Sequence, residues 1–523
     1  METTEGVDGV LLALGGYSRY QIFHFCLMLL CDLSASFQLL DMVFIGKSVP
    51  HHCAAPPDGT NFTIDGIDLP PSSNITYYQC SIGVIHTTDN NSKLQTLPCI
   101  YGMQYTERKD VSFVSEFDLV CDRQALSDLP QTLLILGQAL GALILPYFSD
   151  RFGRKPVHVL SHSILLVIGI SIAFSPNYLV FAILRLLIGV VQQGIVLTYA
   201  TYASEMFPTR YRRVICLFGG IMLTCSSIFM TGIGYLMRFE SWRYLQLAYT
   251  ASALHVIVQF LFMDESFRWL MRNGKYQLAL KNIKKAIRMS KADRELVLEA
   301  FNKVVEESTD IPGHGLRENG DSSGAKTKRL SLLDIFKRKR LALNTFIIWF
   351  MWCTAAMTFF GLFFTSTSLS GDPHLNVFLN ALMGLPTAII FWGIIDRVAG
   401  HTTSAFITTF SLLGIIGAEG AFSVCFFYTP ELYPTNVRNV ALGSASVAAR
   451  TGGMIAPFSR LMIKHIPWGP GAIFSIFCLV SAFLVIWLPE TREKQLPQTM
   501  ADLKLLYPKR ERKAAKVGEL KPL

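Results

Sequence analysis

Ser149-Asp150-Arg151-Phe152-Gly153-Arg154-Lys155 lies between two long apolar runs, roughly 129–148 and 156–173. About twenty apolar residues suffice to cross a bilayer as a helix. The stretch therefore reads as a tight charged turn joining two membrane spans. Three cations in seven residues put it on the cytoplasmic side. Gly153 lets the backbone turn sharply because it has no Cβ. Asp150 is suited to pair with a neighbouring arginine or to cap the next helix.

The rest of the chain agrees with that reading. Its 523 residues are 51% hydrophobic and 16% charged, with mean hydropathy +0.37. A soluble domain carries roughly 25% charged residues. Span-length apolar runs recur at about 22–45, 177–199, 214–237, 243–263, 342–366, 374–395, 440–463 and 470–488, so the fold class is an all-α polytopic membrane protein. The net charge of +9 is read as cytoplasmic Lys and Arg rather than as a nucleic-acid surface. Zinc spacings, phosphate loops and nucleophile elbows are not found in the sequence, so no enzyme activity, cofactor or metal is expected. Residues 1–20 are polar and the first apolar run is too long for a signal core, so no cleavable signal is expected.

The first run carries Asp32 near mid-depth and Asp41 near its outer end. A carboxylate in hydrocarbon costs several kcal/mol unless it is paired or wetted. Asp32 is expected to face a central cavity or to join an ion pair, and Asp41 to be solvated. A short amphipathic lead-in is expected over 14–21. Residues 46–127 are polar, with N-x-S/T sequons at Asn61, Asn74 and Asn90 and with Cys53, Cys80, Cys99 and Cys121. Sequons act only outside the cytoplasm, and four cysteines in one polar loop suggest two disulfides with three possible pairings. This loop is therefore expected outside, at the plasma membrane, and the N-terminus inside.

Residues 264–341 read as a cytoplasmic link, with helical periodicity over 276–306 and a Gly/Ser-rich part at 308–327. Ser331 follows Lys328-Arg329 and is a phosphorylation candidate of low specificity. The tail from 489 carries Lys509, Arg510, Arg512 and Lys513, a solvated or lipid-touching cluster. The boundaries are thus 1–21, 22–263, 264–341, 342–488 and 489–523. The second half repeats the first: Ile395–His401 is a worn copy of the opening turn, and Pro430–Asn439 is a copy of 204–213. Asp150 and Glu205 are 55 positions apart, whereas Asp396 and Glu431 are only 35 apart. The shortfall is about one membrane helix. Residues 402–428 then make a single span and the total is eleven, or else they make a re-entrant hairpin.

The opening turn resembles the G-x-x-x-D-R-x-G-R-R/K pattern of major facilitator transporters, with Pro146 at the leading Gly position. The large Cys- and sequon-bearing loop resembles that of organic cation, organic anion and carnitine transporters. So do Glu116-Phe117-Asp118-Leu119-Val120-Cys121 and Asp264-Glu265-Ser266-Phe267-Arg268-Trp269-Leu270, the latter without the family's two prolines. Members usually have six loop cysteines, and this chain has four. The resemblance implies two six-helix halves working by alternating access, here with a shortened second half. It also implies that Asp150, Arg151, Gly153, Arg154, Glu205, Arg210, Arg212, Asp396, Arg397, Glu431 and Arg438 form cytoplasmic charge clusters that latch the halves.

Arg450 lies about eleven residues into its span, roughly 16 Å deep at 1.5 Å per residue. An arginine there faces a bundle interior or a wet cavity, keeps its charge, and binds carboxylates bidentately. In the resembled family, anion and carnitine members carry Arg at this point and cation members tend to carry Asp. Acidic positions of cation members fall on Ala355 and Gly384, and a lysine of several anion members falls on Ala388. Substrate-site candidates are Arg450, Asp32, Gln193, Trp352, Phe359 and Phe422, with Trp349, Phe360 and Tyr428 as further aromatics suited to cation–π contact. Arg450 paired with Asp32 as a structural bridge is the alternative. The expected partners are a small organic ion, the lipid bilayer and a possible coupling ion, and no nucleic acid. The expected function is transport of organic anions or carnitine-like zwitterions; the alternatives are organic cation transport and a transport-incompetent eleven-span variant. In that variant, losing one helix would turn Glu431–Asn439 to the outside.

Overall fold

The computed structural model describes residues 7–56, 63–64, 67–68, 74–88, 91–208, 212–309, 336, 339–366, 372, 374–382, 421–422, 424–425, 428–429, 432–433, 435–459, 461–462, 466 and 468–489. The eleven-span count turns on residues outside this set. Arg210, Asp396, Arg397, Glu431, Asn61, Asn90, Gly384, Ala388, Ser331 and the basic tail cluster also lie outside the described residues, as do the side chains of Asn74, Arg212 and Arg438.

The first half is a bundle of long helices. After α1 (Val7–Ala13) come α2 (Arg19–Leu40) and its continuation α3 (Met42–Ile45), then a short α4 (Phe113–Glu116). The next five spans are α5 (Ala125–Phe152), α6 (Arg154–Ala173), α7 (Tyr178–Met206), α8 (Arg212–Leu236) and a broken sixth, α9 (Trp242–Ala251) and α10 (Val256–Phe262). A 3₁₀ turn, Ser252–His255, separates the last two. Seven described helices are long and apolar enough to cross a membrane. Most run a few residues past the apolar stretches because polar caps extend them. Ser18 and Gln21 form a reciprocal capping box on α2, and Asn177 Oδ1 accepts from the Val180 N–H at 2.9 Å. The lead-in expected over 14–21 is instead a turn through Gly15 and Gly16, both at positive φ, and the helix before it is α1.

Helices α5 and α7 cross at backbone contact. A Cβ on Gly137 or Gly189 would lie 2.0 Å from the carbonyl oxygen of Leu186 or Leu134. Between lipid-exposed helices there is little hydrophobic drive, so such small-residue crossings supply the packing.

Asp41 corrects an expectation. It is fully buried rather than solvated, and its two carboxylate oxygens accept from Arg185 Nη2 at 2.6 Å and Nη1 at 3.0 Å. A charge that cannot reach water needs such a bidentate partner.

The 46–127 loop holds short strands. β1 (His51–Cys53) pairs antiparallel with β7 (Met103–Tyr105), β2 (Thr63–Ile64) with β3 (Ile67–Asp68), and β4 (Asn74–Tyr77), β5 (Ile82–Thr88) and β6 (Asn91–Leu97) form a meander. Disulfides join Cys53 to Cys99 and Cys80 to Cys121, resolving the three possible pairings. On the opposite side, α11 (Phe267–Arg272), α12 (Tyr276–Ser290) and α13 (Arg294–Thr309) form a cap with α1. Its apolar seam includes Leu11, Met206, Leu270, Ile283 and Phe301. The periodicity of 276–306 is realised as α12 and α13.

The second half contributes α14 (Lys339–Ser366), α15 (Thr435–Ile455) and α16 (Gly469–Val485). α14 and α15 run parallel. Thr345 Oγ1 meets the Tyr433 hydroxyl at 2.8 Å, Trp349 Nε1 donates to Ser444 Oγ at 3.0 Å, and Gly452 lies against the Cys353 carbonyl. Tyr433 therefore lies beside the Lys339 end of α14. For Tyr433, the inversion expected of Glu431–Asn439 from a lost helix is not realised: this residue stays on the side of the 264–341 link. The side chains pack in register from that end, and this fixes the direction.

Candidate functional site

Two constellations carry the polar chemistry. The first is at mid-depth, where the halves meet. Arg450 Nη2 on α15 donates to Gln193 Oε1 on α7 at 2.9 Å. Arg450 Nε is buried without a partner among the described residues. No ion pair joins Arg450 to Asp32 among the described residues, so the structural bridge is not formed. Asp32 is half-buried on α2. Neighbouring Gln192 is anchored differently: its Nε2 donates to the Ala35 carbonyl and its Oε1 accepts from Gln138 Nε2 at 3.0 Å. Gln193 is thus the glutamine of the pair that reaches across to the second half.

Of the aromatic candidates, Phe359 and Phe422 are half-buried. Trp352 departs from its expected role as a surface for substrate. It is fully buried, its indole N–H donates to Thr429 Oγ1 at 2.9 Å, and its ring meets Phe422 edge-on at 5.3 Å. A tryptophan whose donor is satisfied inside the protein serves packing.

The second constellation lies at the end of the first half that carries the 149–155 turn. Gly153 has φ +113°, and a Cβ there would lie 2.2 Å from Glu265 Oε2. The turn thereby admits the Glu265 carboxylate to the N-terminus of α6, where it accepts from the N–H of Arg154 at 2.9 Å and of Lys155 at 3.3 Å. Helix N-termini attract anions through free N–H groups and the helix dipole. Burial raises the Glu265 pKa, and the backbone N–H bonds partly offset this. The Arg154 guanidinium clasps Glu205, with Nη2 to Oε1 at 2.9 Å, and pairs with Asp150 at 2.9 Å. Ser266 Oγ donates to Glu205, and Trp269 Nε1 donates to the Asp150 carbonyl at 2.9 Å. Arg268 pairs with Asp8 of α1.

Asp150, Gly153, Arg154 and Glu205 are therefore brought together. Arg151 is not: it points outward over the Phe152 ring, 5.5 Å from the centroid. Glu265, rather than Asp150, caps α6. Sequence reasoning noted the 264–270 motif but gave Glu265 no role; an acidic residue directly after a span was the available signal. The Asp41–Arg185 pair was also missed, because Asp41 sits near the end of its run.

The arrangement suits a carrier: charged and polar groups at mid-depth between two helical halves, and charged clasps at one end. A family model described as "Sugar (and other) transporter" matches residues 101–369. The chain is 28% identical to "Organic anion transporter 3" of Rattus norvegicus, covering 98% of each chain. It is 27% identical to "Organic cation transporter protein" of Drosophila melanogaster, covering 95% of this chain and 94% of that one. Among solved structures it is similar to the major facilitator proton:xylose symporter XylE at TM-score 0.59 and 15% identity, over 93% of this chain and 99% of that one. This chain belongs to the sugar (and other) transporter family, with the major facilitator fold, and its relatives are organic anion and organic cation transporters.

Proposed function

We propose that this protein moves small organic anions or carnitine-like zwitterions across the plasma membrane by alternating access. The observation that carries the reading is Arg450. Among the described residues it donates to the neutral amide oxygen of Gln193 and is paired with no carboxylate, in contrast to Arg185, which holds Asp41. A guanidinium can take a carboxylate on two parallel N–H groups. An amide satisfies only part of that capacity, so an incoming carboxylate has something to gain. Asp32, without an ion-pair partner among the described residues, is the complementary carboxylate on the first half and suits the cationic end of a zwitterion. Phe359 and Phe422 would flank it. Organic cation transport is the second reading, and Asp32 is the observation that favours it.

In this reading 1–21, 264–341 and 489–523 face the cytoplasm. The 46–127 loop faces outside with glycans on Asn61, Asn74 and Asn90. The Arg154–Glu205–Asp150 clasp is the first half's share of a cytoplasmic latch whose other share would be Asp396, Arg397, Glu431 and Arg438, with Arg210 beside it. The test is uptake of labelled aryl carboxylates, carnitine and a quaternary ammonium by cells expressing wild type, Arg450→Ala and Arg450→Lys. Uptake of carboxylates by wild type, lost in Arg450→Ala at unchanged surface level, supports the reading. Uptake confined to the quaternary ammonium, or carboxylate flux unchanged in Arg450→Ala, overturns it.

A further inference from the structure

We propose that Phe44, Tyr235 and His374 form the extracellular gate of the transport path, with His374 as the element that moves; this rests on the transport reading above. Phe44 lies in α3, at the outer end of the first span, and Tyr235 in the last turn of α8. His374 follows the far end of α14 in the second half. Its ring stacks on Phe44 with centroids 5.3 Å apart and planes at 28°, and it meets Tyr235 edge-on at 5.8 Å. Three rings from two halves thus close one point of the outer rim.

The two sides of this contact are held differently. Phe44 is 5% exposed and lies flat against α8, where a Cβ on Gly234 would come within 2.9 Å of its ring. It is packed into the first half and has no room to withdraw. Among the described residues, the hydrogen bonds that hold His374 come from its own half. Asp372 Oδ1 accepts from the His374 N–H at 2.8 Å and from the ring Nδ1 at 3.1 Å, and the Asp372 carbonyl accepts from the Asn376 N–H at 3.1 Å. The ring therefore travels with the second half when the halves rock apart. Ring contacts of this kind are weak and non-covalent, which suits a seal that must break in every cycle.

The layer below fits a closed outer face. Met42, Ser127 and Asp128 of the first half and Phe364 and Pro457 of the second line one narrow cavity. At its floor Thr132 Oγ1 donates to the Met454 carbonyl at 3.3 Å. A solute arriving from outside meets the ring stack first, then this layer, and only then Arg450 and Gln193.

The test uses the full chain with Phe44→Cys and His374→Cys together and a protease site inserted within 308–327. A short bifunctional thiosulfonate bridges the two thiols, and the bridge is read as halves that stay joined after cleavage. The expected result is bridging in most molecules, at least a tenfold fall in uptake, and recovery when brief reduction cleaves the linker. Either single variant, treated alike, keeps more than half its uptake. Bridged protein that transports at the unbridged rate overturns the gate. Should the double variant fail to reach the surface, Phe44→Cys alone is labelled with a membrane-impermeant thiosulfonate, with and without His374→Ala. Labelling several-fold faster with His374→Ala supports the gate, and equal rates overturn it. The labelling readout needs no substrate, so it stands even if the carried ion is not an anion.

Discussion

Arg185 and Arg450 are both arginines within apolar helices, and their surroundings differ in kind. Arg185 is fully buried, holds both oxygens of Asp41, and lies over the Phe181 ring at 5.7 Å. Arg450 donates to a neutral amide, Gln193 Oε1. The Nε of each arginine is buried without a partner among the described residues, so the difference lies in the charge of the group each one holds. The first joins two helices of one half; the second stands where two halves meet. An arginine whose charge is neutralised within its own half is architecture, and in the proposed reading an arginine held by an amide between the halves is the one available to a ligand.

The largest expected effect breaks the first member of that comparison. Arg185→Ala leaves Asp41 charged and unpaired in the core, a loss of about 3–5 kcal/mol. The variant should be retained inside the cell, as read by surface biotinylation, and Arg185→Ala with Asp41→Asn should recover part of the surface level. Normal surface expression of Arg185→Ala would dissolve the contrast. Next comes Arg450→Ala, which should reach the surface and lose about 10- to 100-fold in carboxylate uptake, the worth of a hydrogen bond to a charged group, roughly 1.5–3 kcal/mol. A collapse of its surface level instead would make Arg450 architectural too.

A smaller effect is expected at the 149–155 turn. Gly153→Ala forces a side chain into positive φ and against Glu265. It should cost about 1–3 kcal/mol and lower the melting temperature of detergent-solubilised protein. Adding Glu265→Ala should recover the steric part only. The smallest concerns Asp264. Burial acts to raise its pKa, but hydrogen bonds and charge from His24 and Lys285 outweigh this and hold it well below the usual carboxylate range. The contribution is therefore present above the unfolded pKa of about 3.9 and lost as pH falls below it. Asp264→Asn should be less stable than wild type at pH 6, with the difference shrinking below about pH 4. Lys285→Ala, which removes a largely exposed pair, should cost about 1 kcal/mol or less.

The sequence was legible where long apolar periodicity or local covalent logic governs. The spans of the first half, the charged turn at 149–155, the polar 46–127 loop with its four cysteines and the α12–α13 link follow from residue type and order. Arg450 stands out in the sequence for a related reason, since a permanent charge in hydrocarbon demands an explanation wherever it occurs; the role proposed for it rests on the uptake test. Partner choice was not legible. Nothing local says that Asp41 reaches Arg185, 144 positions away, or that Arg450 meets Gln193 rather than Asp32. Trp352 looked like a substrate platform until Thr429 was found at its indole nitrogen. Glu265 escaped because its target, the start of α6, lies 111 positions earlier in the chain.

By itself, then, the sequence determined a membrane-spanning, two-half helical protein with a large disulfide-bearing polar loop after its first span, because hydropathy and loop charge act along the chain through the solvent each segment must meet. Only the tertiary structure decided which charges are spent on each other and which stay open, that α15 runs parallel to α14, and that Phe44, Tyr235 and His374 converge at one rim. Those are distances between segments far apart in order, and they are fixed by helix packing rather than by any residue's own preference.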